Sequence, residues 1–378
     1  DGNGYIDDVQ GWDFINHDNA PLDDNGHGTH VGGIIGAVGD NGIGVAGAAW
    51  DVKLMHIKVL QSTGSGNSTN FAAGVEYAAS NGASIINMSL GSYGESATLK
   101  LALENAYATS FLVAAAGNSG ICIGPGKCPD GRDSAPLFPG AYSFVLGVED
   151  GVGLYDNYDQ DGPTASRLSG LLNYEVKAPG SQILSTMPGG GYASLTGTSM
   201  ATPLVAGGLA LYLQENPSDS KEIIFGNLIN TSQSNVDFLA AMDVVPTPQL
   251  SVVSTVMRDS INNQNNNELW EPAETIEILP LIKNYWGPTT DVRVGIEFAQ
   301  FEDQSKATIL QDEIQIGSIS AYASLQDLNE SLKISISNNV ANNVDIKFVL
   351  RAWSGPNPEY LSDELELVVN VKNAILLS

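Results

Sequence analysis

Apolar positions along the first two thirds of this 378-residue chain alternate between two kinds of pattern. Short runs of β-branched and large apolar residues at 52–60, 84–90, 111–116 and 143–148 stand between glycine or asparagine breaks and predict strands. Their near-continuous apolarity suits parallel strands buried on both faces. Between them lie helical spacings. Val31, Ile34, Ile35 and Val38 follow His27 at i, i+3, i+4 and i+7, and Leu99, Ala102, Leu103 and Ala106 repeat that spacing. Pro203 is tolerated only near a helix start, so the apolar stretch running to about Leu213 predicts a helix that begins close to Ser199. Alternation of this kind as far as about Leu239 predicts an α/β fold with a doubly wound parallel sheet.

The pattern changes at Val244-Val245-Pro246-Thr247-Pro248, where the prolines remove donors and impose extended backbone. Beyond it, residues 249–257, 274–282, 292–298, 332–336, 344–353 and 365–371 alternate apolar with polar positions between Asn-, Gly- and Pro-rich turns. The organisation expected is an α/β domain over 1–243, a linker at 244–248 and an all-β sandwich over 249–378. The asparagine-rich run 262–267 falls between two strand patterns and reads as a surface loop.

Composition narrows the partners. Sixteen Lys and Arg stand against 43 Asp and Glu, a formal charge of −27, which repels a nucleic-acid backbone or an anionic membrane surface. The most apolar stretch, 204–213, is too short to span a bilayer. Cys122 and Cys128 sit in a Gly/Pro-rich segment and are expected to close a small disulfide ring in an oxidising compartment, since no histidine lies nearby to make a metal site. Neither an initiator methionine nor a signal sequence opens the chain, so an export signal and any pro-segment are expected upstream of Asp1.

Three segments carry candidate chemistry: His27-Gly28-Thr29-His30-Val31-Gly32-Gly33, Ala114-Ala115-Ala116-Gly117-Asn118-Ser119-Gly120, and Gly197-Thr198-Ser199-Met200-Ala201-Thr202-Pro203. The last puts a hydroxyl where a loop enters a long helix, at the positive end of its dipole. A serine is barely nucleophilic until an imidazole takes its proton. Taken singly, each motif is also open to a structural reading: Thr and Ser cap helices, a helical histidine packs, and Asn118 between Gly117 and Ser119 makes a turn. Together and in this order they resemble the subtilisin-like serine proteases, over residues 1 to about 243.

That resemblance implies acyl transfer to water, with Ser199 as nucleophile, His27 as general base and Asn118 in the oxyanion hole. It also implies peptide-binding walls at Gly64-Ser65-Gly66 and Ser89-Leu90-Gly91, whose glycines let a substrate backbone approach. The family's third member, an aspartate in an Asp-Thr-Gly or Asp-Ser-Gly setting, has no counterpart here. Asp13, Asp23 and Asp24 match the segment between that acid and the histidine instead, so the acid is expected upstream and the chain alone is expected to be nearly inert. Calcium is implied at Asp13, Asn16 and Asp18, with the carbonyls of Ala20 and Leu22, because related Gly-Trp-Asp-Phe segments hold it. Asp1-Gly2-Asn3-Gly4-Tyr5-Ile6-Asp7 reads as an Asx-rich turn more readily than as part of an EF-hand-like loop. Leu204 stands where many relatives carry histidine and is expected to face away from the proton relay. His30 is expected to pack or to lie behind the site, while His17 and His56 have no visible chemical partner. The expected function is a secreted or cell-surface endopeptidase acting on polypeptides. The alternative is an inactive relative that serves attachment through its β-sandwich.

Overall fold

In the computed structural model, residues 3–118, 137–142, 144–151, 175–232, 235–259, 269–321, 323–355 and 361–372 are described. Cys122, Cys128 and the 262–267 run lie outside them. The chain divides into two compact units, Asp1–Val244 and Val245–Ser378.

Runs buried on both faces build the parallel sheet of the N-terminal unit. Strands β3 (Ile85–Met88), β4 (Phe111–Ala115), β5 (Leu146–Asp150) and β6 (Glu175–Ala178) lie side by side in that order, all parallel. Every residue of β4 and β5 is buried, which is why these strands read as runs. Alternate residues Ile86, Met88, Leu112 and Ala114 join one cluster with α2 (Ser68–Ser80) and α3 (Ala97–Tyr107), through Ala72, Val75, Ala78, Leu99, Ala102 and Leu103. The helix α4 (Thr198–Glu215) packs on the sheet outside that cluster and against α1 (His27–Gly36). Two short helices follow, α5 (Lys221–Thr231) and α6 (Phe238–Asp243), capped by the side chains of Ser220 and Asp237.

Several boundaries differ from expectation. Of the predicted strand 52–60 only β2 (His56–Lys58) forms, because its parallel partner among the described residues, β1 (Gly11–Asp13), reaches no further. The strand expected at 143–148 begins later, at Leu146, since Tyr142 and Val145 close a turn. Val38 is not on the helical stripe: α1 stops at Gly36 and Val38 is 61% exposed. The hairpin of β7 (Ile183–Met187) and β8 (Gly191–Leu195) carries no apolar run long enough to announce it.

The C-terminal unit consists of antiparallel sheets. One contains β9 (Leu250–Asp259), β10 (Thr275–Asn284), β12 (Ala307–Gln311), β14 (Ser324–Leu325) and β15 (Leu332–Ile336). The other orders β13 (Glu313–Ile319), β11 (Thr289–Phe298), β16 (Val344–Ser354) and β17 (Leu365–Val371). Ile276, Ile278, Val294, Ile296, Phe348 and Leu350 belong to a single core cluster shared by both sheets. All six predicted strands are present. Strands β12 to β14 are additions, short and partly exposed.

Candidate active site

Helix α1 begins at His27 because of Asp23. Its Oδ1 accepts from the Asn25 and Gly26 amides at 2.9 and 2.8 Å, and its Oδ2 accepts from the Thr29 amide and hydroxyl at 2.7 and 2.6 Å. The carboxylate thus satisfies first-turn donors that the N-cap, Gly26, cannot reach. Partial burial pushes its pKa up, but these bonds outweigh burial and hold Asp23 at about 2. Asp24 pairs with Lys58 at 2.7 Å. Neither carboxylate accepts a hydrogen bond from His27. Burial pushes the imidazole of His27 below its ordinary pKa, the charge of Asp23 opposes that shift, and His30 adds to it.

The second half of the site is the entry to α4. Gly197, at φ +151°, turns the chain, and a β-carbon there would press on the Asn118 side chain at 3.1 Å. Asn118 Oδ1 accepts from the Thr198 amide at 2.8 Å, which commits the carbonyl end of this exposed side chain and leaves its NH2 end as the donor. Thr198 is fully buried, and its hydroxyl bonds to Gly117 and Asn118 at 3.0–3.1 Å, fastening the end of β4 to the helix start. Ser199 is the second residue of the helix, so its N–H is one of the donors without an intrahelical acceptor. Pro203 has no N–H to offer the Ser199 carbonyl one turn back. That carbonyl accepts from the Ser89 hydroxyl at 2.9 Å instead, while the Ser199 hydroxyl donates to the Ser89 carbonyl at 3.2 Å.

Two cavities adjoin along residues 90 and 91. A large one, of about 2310 Å³, is lined by His27 and by all six expected wall residues, Gly64, Ser65, Gly66, Ser89, Leu90 and Gly91. A smaller one, of about 270 Å³, is lined by Leu90, Gly91, Asn118, Thr198 and Ser199. Ser199 and Asn118 therefore line one cavity, and His27 shares the other with the 64–66 and 89–91 segments. Among the described residues no hydrogen bond joins His27 to Ser199. Residues 61–65 form a tight turn, with the Gln61 amide donating to the Ser65 carbonyl at 2.9 Å.

A model of the Subtilase family matches residues 1–266. The chain belongs to the subtilase family. It is 40% identical to Subtilisin DY of Bacillus licheniformis over 225 residues, which covers 59% of this chain and 76% of that protein. It is also 40% identical to Thermitase of Thermoactinomyces vulgaris over 213 residues, covering 56% and 70% of the two chains. Among solved structures, a cold adapted subtilisin-like serine proteinase matches 60% of this chain and 76% of its own, at 34% identity and a TM-score of 0.48. Membership of this subtilase lineage supports serine endopeptidase activity in general.

The cation ligands expected from this subtilase segment are occupied with one another. Asp13, 1% exposed, accepts from the Ile15 and Asn16 amides and from Asn16 Nδ2 at 2.7–2.9 Å, while Asp18 accepts from the Ala20 amide at 3.0 Å. Among the described residues no three His, Cys, Asp or Glu side chains converge. Both Asp13 oxygens and one Asp18 oxygen thus accept from N–H groups of the loop itself. Asn3 closes an Asx turn by accepting from the Tyr5 amide at 2.8 Å. Leu204 packs beside Val31, Ile34 and Met200. Sequence reasoning missed Asp150, a fully buried carboxylate that accepts from the Gly180 amide and the Ser181 hydroxyl at 2.9 and 2.6 Å and anchors the strand connection leading to the β7–β8 hairpin.

Proposed function

We propose that the chain carries the nucleophile, base and oxyanion donor of an exported endopeptidase. Ser199 attacks a peptide carbonyl, and His27 takes its proton and returns it to the leaving amine. Asn118 Nδ2 and the Ser199 N–H hold the oxygen as it becomes negative. The observation that carries this reading is Asn118: its carbonyl end is fixed on Thr198, and the residue lines the same cavity as Ser199. Polypeptide substrates would run between the 64–66 and 89–91 walls. No described helix is long and apolar enough to cross a membrane.

The acid that orients His27 we assign to a segment outside these 378 residues. Among the described residues β2 pairs only with β1, and β3 only with β4. The large cavity is lined by residues of both β2 and β3 and by His27, so a strand lying there could present a carboxylate to the imidazole. The test is labelling of Ser199 by a fluorophosphonate, with and without an N-terminal extension forming an apolar strand that ends in aspartate. Labelling should be slow without it, rise by about 10,000-fold with it, and vanish in Ser199→Ala; that magnitude comes from subtilisin-type triads rather than from this structure. Failure to label in either form would favour the inactive, attachment-serving alternative.

A further inference from the structure

His30 lies one helical turn after His27 and is fully buried. Its Nε2 is 3.1 Å from the Ile183 carbonyl and 3.0 Å from the Ala193 carbonyl. Both partners are acceptors, so Nε2 carries the hydrogen and donates to two strands at once, since Ile183 belongs to β7 and Ala193 to β8. The other ring nitrogen, Nδ1, is buried and has no partner among the described residues. Packing alone does not account for an imidazole here, because an apolar side chain of the same size would avoid that bare acceptor.

The same helix and hairpin are joined by two further bonds. The hydroxyl of Ser185, itself fully buried, donates to the His30 carbonyl at 2.7 Å, and the Thr186 hydroxyl donates to the Thr29 carbonyl at 2.9 Å. Gly33 permits this closeness, since a β-carbon there would collide with both hydroxyls. Strand β8 then leads through Thr196 and Gly197 into α4. That passage is held in turn by the Gln182 amide donating to the Thr196 hydroxyl at 2.8 Å and by the Gly197 amide donating to the Gly180 carbonyl at 2.9 Å. A continuous chain of bonds therefore runs from the helix bearing His27, across the hairpin, to the loop that presents Ser199.

We propose that His30 is a positioning residue: its Nε2–H clamps the β7–β8 hairpin to α1 and so fixes the spacing between His27 and Ser199. This rests on reading those two residues as base and nucleophile, and the test separates the two ideas. His30→Met keeps the volume and removes the donor, whereas His30→Gln returns an amide N–H. Fluorophosphonate labelling of Ser199 should fall at least about tenfold in His30→Met, since small misplacements of reacting groups are costly, and return to within about threefold of the unmutated rate in His30→Gln. Amide hydrogen exchange over 183–199 should quicken in His30→Met and stay near that of the unmutated chain in His30→Gln. Unchanged exchange in His30→Met, or equal rates in the two variants, overturns the clamp. If the unmutated chain is never labelled, the catalytic reading fails and the exchange comparison still decides the clamp. Should His30→Met not fold, Ser185→Ala cuts the adjoining bond and is read in the same two ways.

Discussion

The two units use buried polar residues differently. In the C-terminal unit Glu277 meets Arg258 at 2.8 Å and Lys333 at 3.2 Å across the neighbouring strands β9, β10 and β15, and Thr289 bonds to Ser354 where β11 lies beside β16. In the N-terminal unit, buried Thr198, His30, Ser185 and Asp150 tie helix starts and loops to one another and to strands, and all four ties lead to the starts of α1 and α4. Polar burial that reinforces a sheet accounts for itself. Polar burial that converges on two helix starts fixes where His27 and Ser199 sit.

Deleting core volume from the C-terminal unit should give the largest effect. Phe348 is fully buried in the shared cluster, so Phe348→Ala should lower stability by about 3–5 kcal/mol in urea unfolding, and a loss under about 1 kcal/mol would show that the cluster is not one core. Asn118→Ala should slow peptide hydrolysis by about 100- to 1,000-fold with little change in KM, the magnitude that the same loss has in subtilisin itself. A rise in KM alone would make Asn118 a wall residue instead.

Asp23 should matter less, and through pH. Its carboxyl is held at about 2, below the ordinary 3.8, so its contribution to stability is complete above about pH 4 and is lost as pH falls toward 2. Asp23→Ala should cost about 1 kcal/mol at pH 7 by removing the cap of α1, and flatten part of the acid limb of the stability profile. An unchanged acid limb would show that the four hydrogen bonds contribute nothing net. The smallest effect expected is on the rate profile of Ser199 labelling. Because burial depresses the pKa of His27, the rate in the chain without the extension should rise with a midpoint below about pH 6.5, and a midpoint above it would mean that an acid already faces the ring.

The contrast between the units also explains what the sequence disclosed. Strands such as β16, whose burial alternates residue by residue, were legible from period two, and β4 was legible as a buried run. The limits of β2 were not, because its length is set by what pairs with it rather than by its own residues. His27, Asn118 and Ser199 were legible through motifs that resemble a family. The hydrogen bonds of His30 and Asp150 were hidden, since the carbonyls that His30 meets lie 153 and 163 positions away and no local pattern reports them. Leu204, neutral to the relay on the sequence reading, has a packing duty: its seat beside Val31, Ile34 and Met200 makes it part of the α1–α4 contact.

The most direct measurement is the rate at which a fluorophosphonate labels Ser199 in His27→Ala relative to the unmutated chain, both carrying the N-terminal strand extension. Labelling should fall to the background level set by Ser199→Ala. Labelling of His27→Ala at the unmutated rate would contradict the reading of His27 as base.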